Sequence, residues 1–255
     1  MINYRRHQNY HGSVFSFGAG TQSTAILLLI KYEPERLLEK IGHLPEHIIF
    51  ADTGAESQES LDNLEKCKTL LPIYRVKNWK RNAQNSPNDI PVFFSGGGAK
   101  QRQCTSEWKI KPLNHAIRKL YPKKSVKRPV AAWLGISTDE IQRMKESWVK
   151  SIENVFPLIE LGLSRQDCYG ILKKYNWTAV KSSCYMCPYQ AKRWADNPEI
   201  EKAIAYEKFL QENSKYREVP YLHPSGQPLE TVYEKMTAQT VLWDFQNECE
   251  GHCGL

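Results

Sequence analysis

Short apolar runs alternate with amphipathic stretches over most of the chain, and this alternation predicts a repeated strand–helix unit. Val14-Phe15-Ser16-Phe17 reads as a short buried strand. A small-residue turn separates it from a helix running from Ser23 to about Leu38. Glu46-His47-Ile48-Ile49-Phe50 predicts a second strand, ending in Asp52-Thr53-Gly54. Helical spacing follows from Ser60 to Leu71, with Leu61, Leu64 and Leu70-Leu71 on one face, and Ile73–Val76 predicts a third strand. Between Asn78 and Lys100 the periodicity disappears and Asn, Pro, Ser and Gly dominate. That predicts a long loop serving as a lid or substrate-binding segment. Further on, the pattern predicts a helix from Leu113 to Tyr121, a buried strand over Pro129–Ile136 and a short apolar segment over Phe156–Ile159. Helices are predicted over Ser164–Tyr175, about Ala191–Asn213, and Leu229–Ala238. The rhythm specifies an α/β class: a doubly wound, mostly parallel sheet with right-handed crossovers. We assign residues 1–160 to this nucleotide-binding-type domain. Residues 161–255 form a helical, Cys-rich C-terminal region packed on it, the two making one structural unit.

The turn after the first strand carries the clearest chemistry. Ser16, Phe17, Gly18, Gly20, Thr21, Gln22, Ser23 and Thr24 combine glycines, hydroxyls and a helix start. Glycine lets backbone N–H groups approach a ligand closely, and a helix N-terminus adds partial positive charge; together they suit a phosphate. No Lys follows the last Gly, so this is not a Walker loop, and the glycine spacing is not that of a Rossmann fingerprint. An ordinary Gly-containing βα turn is the competing reading. Ligands in doubly wound sheets sit beyond the carboxyl ends of strands. Asp52, Thr53 and Glu56 are therefore expected beside the loop, as are Gly135 and Arg143 after the Trp133 strand.

Composition narrows the class. The chain has 255 residues, 41% of them hydrophobic, enough for a sizeable core. No run approaches a membrane span, and Met1 to Gly12 lacks an apolar signal core, so a cytoplasmic protein without membrane association is expected. A net charge of +7 mildly favours a polyanionic partner. Arg118, Lys119, Lys123, Lys124, Lys127 and Arg128 crowd around Tyr121 and Pro122, and this basic Arg118–Arg128 segment is the candidate nucleic-acid contact. Seven cysteines, an odd number, argue against a simple disulfide framework and toward metal ligands, thiols or core residues. Cys184-x-x-Cys187 spaces two thiolates for one metal or cluster, and equally for a redox dithiol. Cys249 and Cys253 form a second pair around His252. Cys104 and Cys168 stand alone, and Cys67 fits helix packing.

Taken together, these motifs resemble the PAPS reductase-like branch of the PP-loop (adenine nucleotide α-hydrolase-like) superfamily. More narrowly, they resemble phage and bacterial members of the phosphoadenosine phosphosulfate reductase family. The resemblance is carried by Ser16 to Ala25, Phe50 to Gly54, Arg102-Gln103-Cys104-Thr105 with Lys109-Ile110 and Pro112, and Gly135-Ile136-Ser137 with Asp139-Glu140 and Arg143. Phe156-Pro157-Leu158, Asp167-Cys168, Ser183-Cys184 to Cys187-Pro188 and Glu248 to Gly254 extend it in collinear order over nearly the whole chain. It implies an adenine nucleotide (ATP, or PAPS or APS) over the carboxyl edge of a five- or six-stranded sheet. The chain departs from the pattern at Gln22, where the loop usually has Asp for Mg²⁺. It departs also at Cys104, where cluster-bearing reductases have adjacent cysteines, and in having two tail cysteines instead of one.

The resemblance implies three functions. The first is an ATP-dependent, adenylating sulfurtransferase acting on a nucleic acid or nucleotide, supplied by a sulfur-donor protein. In it Asp52 holds Mg²⁺ or nucleotide, and Arg102, Lys109 and Arg143 neutralise developing charge. Cys104, Cys184 and Cys187, with Cys168 as fourth, bind a [4Fe–4S] cluster, and Cys249 or Cys253 carries sulfur. The second is a PAPS or APS reductase with Cys249 or Cys253 as nucleophile. The third is a nucleotide-binding sensor whose cysteines hold structural Zn²⁺.

Overall fold

The computed structural model describes residues 9–122 and 128–239. They divide into two compact units that interleave along the chain. The first comprises residues up to 51, 59–76 and 111–182; the second comprises 52–58, 77–110 and 183 onward.

The first unit is built on a five-stranded sheet. Its strands are β1 (Gly12–Phe17), β2 (His47–Asp52), β3 (Ile73–Lys77), β6 (Val130–Leu134) and β7 (Ile152–Val155), in the order β3-β2-β1-β6-β7. β1 runs parallel to both β2 and β6, and β6 runs parallel to β7. The chain thus works outward from β1 on one side and then returns to its other side. The switch point of this doubly wound sheet falls between β1 and β6. Both faces are covered, and the strands alternate between two cores as their twofold period requires. Phe15, Phe17, Ile48, Phe50, Ala131 and Trp133 enter one core; Val14, Ile49, Val130 and Ala132 enter the other.

Helix α1 (Thr21–Tyr32) fills the first core. Every residue from Thr21 to Leu29 except Gln22 is buried. The single helix expected from Ser23 to Leu38 is two. α1 ends at Tyr32, and α2 (Pro34–Ile41) begins with Pro34, whose ring and missing N–H cannot continue a helix. α3 (Gln58–Lys68), α4 (Lys111–Leu120), α5 (Pro157–Glu160) and α6 (Arg165–Lys174) complete the unit. Strand β7 has no counterpart in the sequence reading, because Ile152-Glu153-Asn154-Val155 buries only its two ends.

The second unit corrects the expectation of a structureless lid between Asn78 and Lys100. That stretch holds a 3₁₀ turn at Pro87–Asp89 and the antiparallel strands β4 (Val92–Phe94) and β5 (Ala99–Lys100); β4 also pairs with β8 (Pro220–Tyr221). Gly97 and Gly98, with φ of 88° and 91°, close the hairpin in a conformation that side chains disfavour. Buried Asp89 anchors the segment, accepting from Trp108 Nε1 at 3.0 Å and pairing with Arg81. Helices α7 (Ile200–Glu212) and α8 (Leu229–Gln239) follow. α7 begins nine residues later than the sequence pattern suggested, after a 3₁₀ turn at Pro188–Arg193. No helix among the described residues is long and apolar enough to cross a membrane.

One carboxylate ties the first unit's helices together. Glu33, between α1 and α2, accepts from Lys174 Nζ and Tyr175 Oη at the end of α6, each at 2.7 Å. The Lys174 bond first, then Tyr175, lowers its pKa from 4.5 to about 2. A lowered folded-state value means that this stabilisation is complete above pH 4.5 and is lost as pH falls toward 2. Glu33→Gln should therefore lower the melting temperature at pH 7 and flatten its fall between pH 4.5 and 2, as thermal melts across that range would show.

Candidate functional site

The turn leaving β1 is held in an unusual backbone conformation. Ala19 has φ of 57°, left-handed space that costs a non-Gly residue about 1 kcal/mol or more. Its carbonyl is gripped by buried Asn63 of α3, whose Nδ2 donates to Ala19 O and to Thr24 Oγ1, both at 2.9 Å. Asn63 Oδ1 in turn accepts from Trp177 Nε1 at 2.8 Å. Gly20 is the N-cap of α1, and Ser23 Oγ bonds both its N–H and its carbonyl. Thr21 N–H and hydroxyl both donate to Val180 O, at 2.8 and 3.0 Å. A Cβ on Gly20 would lie 2.7 Å from Ser182 Oγ, so the 180–182 segment closes over the turn only because residue 20 is glycine. Gly135, after β6, likewise lies against the first turn: a Cβ there would sit 3.2 Å from Ser23 N. The N–H groups of Gln22 and Ser23 lie in a first turn that offers no helical acceptor. The turn from Ser16 to Thr24 and Gly135 thus come together at the sheet's switch point as a candidate anion cradle, with first-turn N–H groups placed where an anion could meet them.

Gln22 points away from a metal role. Its Nε2 donates to Glu140 Oε2 at 2.6 Å and to Ser137 Oγ at 3.1 Å. Buried Glu140 already pairs with Arg143 and Arg165, each at 2.7 Å. This carboxylate is neutralised by two guanidinium groups, so the residues around Gln22 do not fit Mg²⁺. Arg143, expected to neutralise substrate charge, is committed to Glu140 while about a third of its side chain stays exposed.

The described flanks of the basic segment meet the same sheet at the opposite end of its strands. The Tyr121 ring packs against Gly12 at the start of β1, and His11 N–H donates to Pro129 O. Arg118, Lys119 and Arg128 thus flank the amino ends of the strands, whereas the cradle leaves the carboxyl end of β1. Lys123, Lys124 and Lys127 lie outside the described residues.

In the second unit Asp52, the last residue of β2, accepts from Gly54 N–H at 2.8 Å. Thr53 Oγ1 donates to Glu56 Oε1 at 2.9 Å and lies 3.4 Å from Cys184 Sγ. Lys109 Nζ sits 3.4 Å from Glu56 Oε1, and this carboxylate raises the Lys109 pKa against the opposing effect of burial. Arg102 lies over the Tyr189 ring at 5.5 Å. Burial raises the Cys104 and Cys184 thiols above their usual range, with Lys109 pulling both back. Cys168 belongs to the first unit's core, where burial pushes it up to about 12, and it packs as a hydrophobic residue. Among the described residues no three His, Cys, Asp or Glu side chains converge as a metal site requires. The expected cluster set of Cys104, Cys168, Cys184 and Cys187 is therefore not assembled there, and the described residues do not fit a cluster or Zn²⁺. Cys249, Cys253 and His252 lie outside the described residues.

The family model described as phosphoadenosine phosphosulfate reductase domain matches residues 12–169. That span begins at the first residue of β1, takes in the cradle and Glu140, and ends within α6. The chain belongs to the phosphoadenosine phosphosulfate reductase domain family. It is a PAPS reductase-like, nucleotide-binding enzyme of the PP-loop type. Among solved structures it is similar to phosphoadenylyl-sulfate (PAPS) reductase from Candida auris in a phosphate complex. The identity is 13% and the TM-score 0.46, covering 68% of this chain and 76% of that one. Among curated proteins none matches.

Sequence reasoning missed Asn63 and the 180–182 strap. Asn63 left a signal: it is a polar residue on the buried face of α3, one turn before Cys67. Val180 and Ser182 left none.

Asn63→Ala should cost about 2–4 kcal/mol, because it strips bonds from buried partners, as urea denaturation would measure. Gly135→Val should leave the fold intact but weaken binding of inorganic phosphate at least about ten-fold by covering Ser23 N–H, as calorimetric titration would show.

Proposed function

We propose that the chain captures the phosphate–sulfate end of an adenylyl sulfate, PAPS or APS, on the Phe17–Ser23 turn and reduces it with a cysteine thiol. The observation that carries this reading is the inward bond from Gln22 to Glu140. The cradle offers backbone N–H donors, since its Thr21 and Ser23 hydroxyls donate to Val180 O and Gly20 O, while its side chain at position 22 is an amide already bound to a neutralised carboxylate. An anion can bind there through the backbone alone, without the divalent ion that cleavage of ATP calls for.

The chemistry then needs two thiols. One thiolate attacks the sulfate sulfur. The sulfur–oxygen bond to phosphate breaks, and the adenosine phosphate leaves with the electron pair, giving an S-sulfocysteine. A second thiol attacks the cysteine sulfur, forms a disulfide and expels sulfite. Sulfur gains two electrons, and two thiols become a disulfide that an external dithiol reduces. Cys249 and Cys253 are the proposed pair. Arg143, Lys109 and Arg102 supply positive charge in their own units.

A second reading, the adenylating sulfurtransferase, is favoured by one observation. Lys109 interacts electrostatically with both Cys104 and Cys184, a grouping of thiols that a reductase working through its tail cysteines does not need. The nucleic-acid acceptor and the sulfur-donor protein belong to this reading.

The two part cleanly when the full chain is given PAPS, APS or ATP in the presence of dithiothreitol. Sulfite release from PAPS or APS, without Mg²⁺, is the expected result. Cys249→Ser or Cys253→Ser should lower it at least about 100-fold while leaving nucleotide binding unchanged. AMP and pyrophosphate from ATP, with no sulfite from either sulfate, would replace this reading with the second.

A further inference from the structure

The second unit contains a buried polar chain that the reaction above does not use. Residues 183–185 lie antiparallel to 55–57: Ser57 N–H donates to Ser183 O at 2.9 Å and Tyr185 N–H to Ala55 O at 3.0 Å. This places Cys184 opposite Glu56. The Cys187 N–H donates to Cys184 O at 3.1 Å, which closes the Cys-x-x-Cys into a tight turn.

Hydrogen accounting fixes the direction of the contacts. A threonine hydroxyl has one hydrogen and two lone pairs. The Thr53 hydrogen goes to Glu56 Oε1 at 2.9 Å, and one lone pair accepts Ala55 N–H at 3.2 Å. The 3.4 Å contact with Cys184 Sγ is then made by the thiol hydrogen, entering the second lone pair. The chain ends at Glu56, whose side chain is fully buried and whose Oε2 has no hydrogen-bond partner among the described residues. A buried carboxylate oxygen left without a partner is costly. Lys109, 3.4 Å from Oε1 and partly exposed, supplies the compensating charge.

We propose that Cys184 is a redox thiol, with Cys187 as its resolving partner and Thr53–Glu56 as the relay that accepts its proton. The proton moves from Cys184 Sγ to Thr53 Oγ1 as the Thr53 proton moves to Glu56. A thiolate forms as a carboxylate is neutralised, so the total charge beside Lys109 is unchanged. The oxidant is a disulfide, R–S–S–R′. Cys184 thiolate attacks one sulfur, giving a mixed disulfide, and R′–S⁻ leaves and takes a proton from water. Cys187 then attacks Cys184 Sγ and expels R–S⁻, which is protonated likewise. Two thiols and one disulfide become one disulfide and two thiols. The inference stands on this unit alone and goes beyond the substrate proposed above.

The test treats the full chain with glutathione disulfide from pH 6 to 9, mapping disulfides by mass spectrometry and following the rate. A Cys184–Cys187 disulfide, reversed by dithiothreitol, is expected. Thr53→Val should slow its formation at pH 7 at least about ten-fold and move the pH–rate profile upward, with Thr53→Ser restoring both. Unpaired Cys184 and Cys187 would overturn the proposal, as would an unchanged rate in Thr53→Val. Stoichiometric iron or zinc protecting both thiols in the purified chain would overturn it too. Sulfite release measured on the same variants reports separately on the substrate reading.

Discussion

A single buried amide, Asn63, holds the conformation on which the anion cradle rests. The strained Ala19 carbonyl and the Thr24 hydroxyl both meet its Nδ2, while Trp177 saturates its other end. Left alone, a non-Gly residue with left-handed φ relaxes, and the turn loses its curvature. With Asn63 in place, α1 starts at Gly20 and its first-turn donors face the switch point of the sheet. The apolar body of the helix, Ala25 to Leu29, is buried behind them. Strain at the turn is thus supported by packing and hydrogen bonding one helix away.

Around that cradle the polar groups are arranged for neutrality. Glu140 collects Gln22, Arg143 and Arg165, which couples the first turn of α1 to the segment after β6 and to α6. The strap at Val180–Ser182 takes up Thr21, the first helical donor. The donors left facing the switch point belong to backbone, which is preorganised and needs no side-chain ordering when an anion arrives.

Much of this was legible in the sequence. The strand–turn–helix beginning at Val14 and the short apolar runs of β1, β2 and β6 specified the sheet class, and the small-residue turn marked the candidate cradle. The failures have physical causes. The break at Pro34 was hidden by an apolar pattern that keeps its phase across it. The β4–β5 hairpin was hidden because its strands are three and two residues long, too short to show a period. Cys168 was indistinguishable in sequence from a ligand, since a thiol on an amphipathic helix reads alike whether it faces a core or a metal; only its burial separates the two. Side chains that act across long sequence separations, such as Asn63 with Trp177, leave no local periodicity to read.

The placement of the basic segment has a further consequence. Its flanks sit at the amino edge of the sheet, and the cradle sits at the carboxyl end of β1. That strand has six residues, a rise of about 20 Å. At physiological ionic strength the Debye length is about 8 Å. The two positive regions are therefore electrostatically insulated from one another. Charge at Arg118, Lys119 and Arg128 therefore adds little to the potential at the cradle, whose pull on a small anion is set by local dipoles instead of by the chain's overall excess of lysine and arginine.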